Sequence, residues 1–218
     1  YRTVLRYYQS AKNILTVGNV DKNRNIYSNS SRGPVKDGRI KPEICGVGAK
    51  VISTGREYNY KTISGSSMSS PAVGGSVALM YEHYRNLNGD LNPEGALMKA
   101  IACNTAEDLG NPGPDFIYGF GLMNAKRAVE VIENNQFQSD ELSNNEEKTI
   151  EIEVPADMAQ LKVMLYWHDK EAELESIKAL VNDLDLTLTD PNGTDYLPWV
   201  LNIDPTAVDG PAERGVDT

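Results

Sequence analysis

Gly65-Ser66-Ser67-Met68-Ser69-Ser70-Pro71 runs directly into Ala72-Val73-Gly74-Gly75-Ser76-Val77-Ala78-Leu79-Met80, and the fold is read outward from this passage. Val73, Val77, Met80 and Tyr84 recur at helical spacing, which predicts a helix over about residues 69–86. Ala72, Gly74, Gly75, Ser76 and Ala78 let other elements approach its remaining faces, so the helix is expected to be central and buried. Pro71 suits a first turn, where its absent N–H costs nothing. A serine hydroxyl is a weak nucleophile. At a helix N-terminus the dipole and the unpaired N–H groups favour developing negative charge. Gly65 would let the backbone turn sharply and leave room for a substrate chain. A lone Gly-Ser-Ser would read as a Ser-rich N-cap, and the passage is not a Gly-x-Ser-x-Gly elbow, because residue 69 is Ser.

Upstream, Ile14-Leu15-Thr16-Val17-Gly18 reads as a buried strand. Ser31-Arg32-Gly33-Pro34 and Lys36-Asp37-Gly38 are turn signals, and a second strand is expected from Val47 to Ser53. Downstream, Asn92-Pro93-Glu94 marks a helix start with Asn as N-cap and Pro at the first helical position, running to about Ala106. A third helix is expected over about residues 124–134, with Ala125, Ala128, Val129 and Ile132 on one stripe. Residues 135–148 form a polar linker. Beyond it the period becomes two, as in Thr149-Ile150-Glu151-Ile152-Glu153-Val154, Leu161 to Trp167 and Leu184 to Thr189, with a turn at Pro191-Asn192-Gly193-Thr194. The expected organisation is an α/β portion over 1–134, a linker over 135–148, and an all-β antiparallel sandwich over 149–218, truncated if no further strand closes its edge.

Charged residues make up 24% and hydrophobic ones 40% of the 218 residues, a globular profile. The net charge of −10 argues against nucleic acid or an anionic membrane as partner, because phosphate contacts need clustered Lys and Arg. No stretch of about 20 apolar residues occurs, so no spanning helix is expected. The first residues have no signal-peptide pattern and no initiator Met, and the chain reads as an internal piece of something longer. Cys45 and Cys103 sit in apolar surroundings and read as buried thiols; a bridge between them is left open, and neither has a second ligand at metal spacing.

The serine passage closely resembles the Gly-Thr-Ser-Met-Ala-x-Pro signature of the subtilisin-like serine proteases, with Ser66 for Thr and Ser69 for Ala. The resemblance extends to Ala11–Gly18, to Ser30-Ser31-Arg32-Gly33-Pro34, to Asp37–Ile44, to Asn104-Thr105-Ala106 and to Tyr118–Ala125. Gly46-Val47-Gly48 departs from the family's Ala-Pro-Gly without obvious consequence for chemistry. Leu161–Asp169, Val181–Leu186 and Pro191-Asn192-Gly193-Thr194 resemble the jelly-roll-like sandwich that follows the catalytic domain in some members. The resemblance implies an incomplete subtilisin-like three-layer parallel sheet with helices. It implies that Ser67 is the acyl-enzyme nucleophile and its N–H an oxyanion-hole donor, and that Ser64, Gly65 and Ser66 border the substrate channel. Met68 would lie beside the nucleophile. Peptide or protein substrates and a secreted or periplasmic location follow from the same resemblance. No cofactor is required. Asp183 and Asp185 share one strand face and could bind Ca2+, although a solvated polar face is the plainer reading.

A Ser–His–Asp mechanism needs a base within hydrogen-bond reach of the hydroxyl. The chain has two histidines. His83 lies about 14 residues past the helix start, roughly 20 Å away. His168 and Asp169 are strand neighbours that point to opposite faces, not a preformed dyad. The base, its carboxylate partner and an oxyanion-hole Asn are therefore expected upstream of Tyr1, and this chain alone is expected to be inactive. Loss of the family's N-terminal strands would expose a sheet edge and one face of the central helix, to be buried against that absent half or a second copy. A non-catalytic interaction module is the rival reading.

Overall fold

The computed structural model describes Val4 and residues 8–216. Its centre is a parallel pair, β1 (Val17–Val20) and β2 (Ile44–Val47), in register from Val17 opposite Ile44 to Val20 opposite Val47. A third segment extends it: Cys45 N donates to Gly121 O (2.8 Å) and Met123 N donates to Cys45 O (2.9 Å). Gly119 makes this approach feasible, since its φ is +66° and a Cβ there would lie 2.3 Å from Glu43 O. The outer edge of β1 is not bare at Asn19. Asn19 N donates to Ser30 Oγ (2.9 Å) and Asn19 O accepts from Tyr27 N (2.9 Å), so the 27–30 loop closes it.

The expected strand from Val47 to Ser53 is two elements. The chain leaves β2, turns through 48–50 with Lys50 at φ 55°, and enters β3 (Val51–Thr54), which pairs antiparallel with β4 (Tyr60–Ile63). Gly48 and the charged Lys50 interrupt the apolar residues at this turn, and they are the sequence's mark of the break.

Three helices follow: α1 (Ser66–Leu87), α2 (Gly95–Asn104) and α3 (Ala125–Glu133). α1 begins at Ser66, three residues before the expected start. α2 begins two residues beyond Pro93, with Glu94 rather than Asn92 at the N-cap. α3 starts as its sequence predicts, the Asn124 side chain accepting from Arg127 N (3.1 Å). The core joins Ile44, Val73, Met80, Leu97, Met98, Ile101, Ala102, Ala106, Ala128 and Ile132. Each large aliphatic among them is worth about 1.5–3 kcal/mol on burial. α1 packs on β1, β2 and α3. It is not buried all round: Ser69, Val73 and Met80 face inward, whereas Ala72, Gly74, Gly75, Ala78 and Leu79 are exposed.

The antiparallel sandwich expected over 149–218 is not formed among the described residues. No strand occurs over 135–187, and the later strands are two-residue pairs, β5 (Leu188–Thr189) with β6 (Asp195–Tyr196) and β7 (Trp199–Val200) with β8 (Glu213–Arg214). A strand must find a neighbour for its N–H and C=O groups. The alternating segment 149–154 finds none, and Ile150, Ile152 and Val154 are all about half exposed. The Pro191–Thr194 turn does close β5–β6, with Asp190 N donating to Thr194 O (2.9 Å).

One part of this segment is tightly held. Buried Asp169 accepts from Lys12 Nζ (2.6 Å), Val181 N (2.8 Å) and Asn182 N (2.9 Å). Burial would raise its pKa, but the Lys12 and amide hydrogen bonds outweigh that and hold the carboxyl down at about 2. Beside it, Lys99 Nζ lies 4.7 Å from the Tyr166 ring centre and donates to Glu43 Oε1 (2.5 Å). Lys41 pairs with the same carboxylate, and burial pushes its ammonium down to about 8.

Candidate active site

The first turn of α1 is built onto the C-terminal end of the parallel pair. Gly48 follows β2, and its carbonyl accepts from Gly65 N (2.9 Å) while its N–H donates to Val20 O (3.1 Å). Ser64 Oγ accepts from Lys50 N (2.8 Å), tying the loop that enters α1 to the turn before β3. Gly65 O then accepts from Met68 N (2.9 Å) and starts the helix. Ser69, in the same turn, is fully buried and its hydroxyl donates to Asn19 Oδ1 (3.0 Å).

Ser66 and Ser67 are thereby the first two residues of α1, and both are exposed. Their N–H groups belong to the first turn, which has no intrahelical acceptors. Ser64, Gly65 and Met68 are half-buried around them. The position is the one where open α/β sheets bind ligands, beyond the carboxyl ends of parallel strands. The arrangement offers a hydroxyl and free amide donors on one side of an open surface, which suits attack on a carbonyl and stabilisation of the oxyanion formed.

Gly65 does not make the sharp turn its sequence suggests. Its φ of 164° is extended backbone, and a Cβ there would meet only ordinary contacts at 3.7 Å and beyond. The demanding glycine is Gly48, where a Cβ would lie 2.2 Å from Ser69 Oγ, 2.5 Å from Gly65 O and 2.7 Å from Asn19 Oδ1. Gly48 therefore bears directly on the serine turn. Asn19 and Gly48 were not among the candidate residues. The signals that could have found them are Asn19 in an otherwise apolar strand and Ser69 at a signature position that otherwise holds Ala.

Neither histidine reaches Ser67. α1 is unbroken to Leu87, which puts His83 about 24 Å along the helix from Ser67. His168 packs against Gly95 at the start of α2, 5.9 Å centre to centre from the Tyr166 ring. Asp169 is committed to Lys12 and Asn13, which precede β1 and so lie at the opposite end of the parallel pair from Ser67. The two residues do not act together.

Asp183 and Asp185 are exposed while Leu184 and Leu186 are half-buried, so the alternation survives as two faces without a ladder. No group of three His, Cys, Asp or Glu able to hold a metal ion occurs among the described residues. Cys45 and Cys103 are free and buried, and burial pushes both thiols up to about 12. Among the described residues no helix is long and apolar enough to cross a membrane.

Comparison with known proteins bears on the same residues. The model of the subtilase family matches residues 2–121. Subtilisin DY of Bacillus licheniformis is 30% identical over 129 residues, covering 59% of this chain and 42% of that protein. The serine protease AprX of Bacillus subtilis is 31% identical over 141 residues, covering 55% of this chain and 30% of AprX. The PII-type proteinase of Lactococcus lactis subsp. cremoris is 29% identical over 123 residues, and the matched part is 6% of its length. Among solved structures, the CspB protease of Clostridium perfringens aligns with a TM-score of 0.51 and 30% identity, over 56% of this chain and 27% of that one. The chain thus spans less than half the length of each of these relatives.

Proposed function

This chain belongs to the subtilase family, and from that premise we propose that Ser67 is the acyl-enzyme nucleophile of a subtilisin-type serine endopeptidase. The observation that carries the reading is the exposed Ser67 hydroxyl in the first turn of α1, at the carboxyl end of the parallel pair. Ser67 Oγ attacks the scissile carbonyl of an extended peptide or protein chain, and the amine leaves as the acyl-enzyme forms. Water then attacks the ester and frees Ser67. The Ser67 N–H donates to the tetrahedral oxyanion, a kind of contact worth about 10²–10³ in rate. Ser64, Gly65 and Ser66 border the substrate.

The base that takes the Ser67 proton and returns it to the leaving amine, and the carboxylate that orients that base, come from residues outside these 218. The distances from Ser67 to His83 and the engagement of Asp169 with Lys12 support this. The chain by itself does not hydrolyse peptides. The half of the peptidase domain that carries the base packs on the open face of α1, at Gly74, Gly75 and Ala78, where self-association is the competing occupant. The enzyme works outside the cytoplasm, secreted or periplasmic. The segment after residue 148 completes a sandwich only in the longer protein.

A fluorophosphonate tests this. A polypeptide joining these residues to the His- and Asp-bearing part is expected to be labelled at Ser67, and Ser67→Ala abolishes labelling; the 218 residues alone react at the background rate of a free serine. Absence of labelling at Ser67 in the longer protein overturns the reading and favours a non-catalytic interaction module.

A further inference from the structure

We propose that Asn19 and Ser69 are positioning residues for Ser67: their buried hydrogen bond sets where the first turn of α1 sits on the end of the sheet. The inference rests on the reading of Ser67 as nucleophile.

Asn19 is completely buried, and every polar group it owns is engaged. Its N–H donates to Ser30 Oγ (2.9 Å), its C=O accepts from Tyr27 N (2.9 Å), Nδ2 donates to Asn29 Oδ1 (2.9 Å), and Oδ1 accepts from Ser69 Oγ (3.0 Å). Ser69 is equally buried. Two helical residues apart means about 200° of rotation, so Ser69 faces the sheet while Ser67 faces out. Fixing the inward hydroxyl fixes the outward one.

The packing beneath leaves no slack. The Ser69 hydroxyl, the Gly65 carbonyl and the Asn19 carboxamide oxygen all converge on Gly48, where a Cβ would stand 2.2–2.7 Å from each. Alanine has the higher helix propensity at position 69. The hydroxyl therefore does something a helix does not need, and among the described residues its hydrogen-bond partner is Asn19. Without it, Asn19 Oδ1 is left buried and unpaired. The turn then relaxes by moving Asn19 or by admitting water, and either displaces Ser67. Small displacements of a nucleophile are costly, because attack requires alignment within a narrow range.

The variants are Ser69→Ala, Asn19→Ala and the pair together, each made both in the longer, base-bearing protein and in the 218-residue chain. In the longer protein, Ser69→Ala is expected to lower the fluorophosphonate reaction rate and kcat about tenfold, with KM for a peptide substrate unchanged. The double variant is expected to be no slower than the slower single one, because the two side chains act as a unit. In the 218-residue chain, Ser69→Ala is expected to speed hydrogen exchange at the Met68 and Ser69 amides while the exchange of Met80 stays as it was. An unchanged kcat and unchanged exchange in Ser69→Ala, or single effects that multiply in the double variant, would overturn the proposal. Ser69→Ala removes one oxygen and keeps the helix, so it decides the matter even if Asn19→Ala does not fold. If the wild-type longer protein is never labelled, the nucleophile reading fails, and the exchange measurement still decides whether Asn19 and Ser69 hold the turn.

Discussion

Residues 8–134 and residues 135–216 differ in where their backbone polar groups find partners. In the first region three helices satisfy their own N–H and C=O groups, and the short strands borrow from β2, from the 27–30 loop and from the Gly121 segment. An aliphatic core then forms around Ile44, Met80 and Ile101. In the second region the alternating segments 149–154 and 161–167 have apolar side chains suited to a sheet, yet no neighbouring strand among the described residues, and Ile150, Ile152, Leu161 and Val163 are exposed. Several contacts hold that region to the first, among them a polar latch of Asp169 on Lys12 and Tyr166 on Lys99, Lys162 Nζ donating to Ala106 O (3.2 Å), Ala179 N donating to Asp37 Oδ2 (3.0 Å) and Asn111 Nδ2 donating to Asp209 O (3.0 Å). A helix is a local solution to backbone hydrogen bonding, whereas a strand is half of a solution. Apolar pattern alone therefore produces folded helices and unpartnered strands in one chain.

The largest way to break this contrast is to remove Glu43, whose carboxylate pairs with both Lys41 and Lys99 and accepts from Thr16 N (2.7 Å). Glu43→Ala leaves two buried ammonium groups unpaired and is expected to destabilise residues 8–134 by about 3–5 kcal/mol. The midpoint of urea unfolding followed by helical circular dichroism measures it; a loss under about 1 kcal/mol would mean that water already reaches the cluster.

Next in size is Gly48→Ala, which forces a Cβ against Ser69 Oγ and Gly65 O. Overpacking at such a site costs about 1–3 kcal/mol, read from the same unfolding curve. The second region should not respond, since Gly48 lies at the far end of the sheet from the latch.

Asp169→Asn acts on the other side of the comparison. It removes the charge that Lys12 pairs with, and it is expected to free the 166–182 segment at a cost of about 1–2 kcal/mol while the helices keep their melting curve. Trp167, whose Nε1 donates to Asn182 O (3.1 Å), reports the release by its emission. Acid should do the same. The Asp169 carboxyl has a folded pKa of about 2 against an ordinary 3.8, so its contribution is complete above about pH 4 and is lost as pH falls toward 2. Trp167 emission that changes in step with helix loss would show that the two regions unfold together.

The smallest effect has the opposite sign. A Cβ at Gly75 meets nothing within 4 Å. Gly75→Ala is expected to stabilise this chain by about 0.5–1 kcal/mol, a rise in melting temperature seen by calorimetry. The same substitution should weaken association with the base-bearing half if that half covers this face; equal stabilisation in the longer protein would place the contact elsewhere.

The helical part of the fold was legible because its signals are local. The spacing of Val73, Val77 and Met80 marks α1, and Asn124 caps α3 as its residue type predicts. Ser67 at a helix tip was readable in the same way. The break at 48–50 was marked only by Gly48 and Lys50, a weaker turn signal than the Gly-Pro and Asn-Gly pairs elsewhere in the chain. The start of α2 was not legible, since Asn92 and Pro93 look like a cap and first residue but precede an extended Glu94. The Asn19–Ser69 bond links residues 50 apart, and nothing in either neighbourhood points to the other. The sandwich was not decided by the sequence, because alternation states which side of a strand is apolar and is silent on whether another strand is there.

By itself, then, the sequence determined the serine-bearing helix, its family and the absence of any base within reach along that helix, since these depend on residue type and on spacing within a turn or two. Only the tertiary structure decided that Gly48, Asn19 and Ser69 meet beneath Ser67, that Asp169 serves Lys12 rather than His168, and that the alternating segments 149–154 and 161–167 lie unpaired while Leu188–Thr189 finds a partner. Those outcomes depend on which distant groups come within about 3 Å of each other, and that is settled by how the whole chain packs.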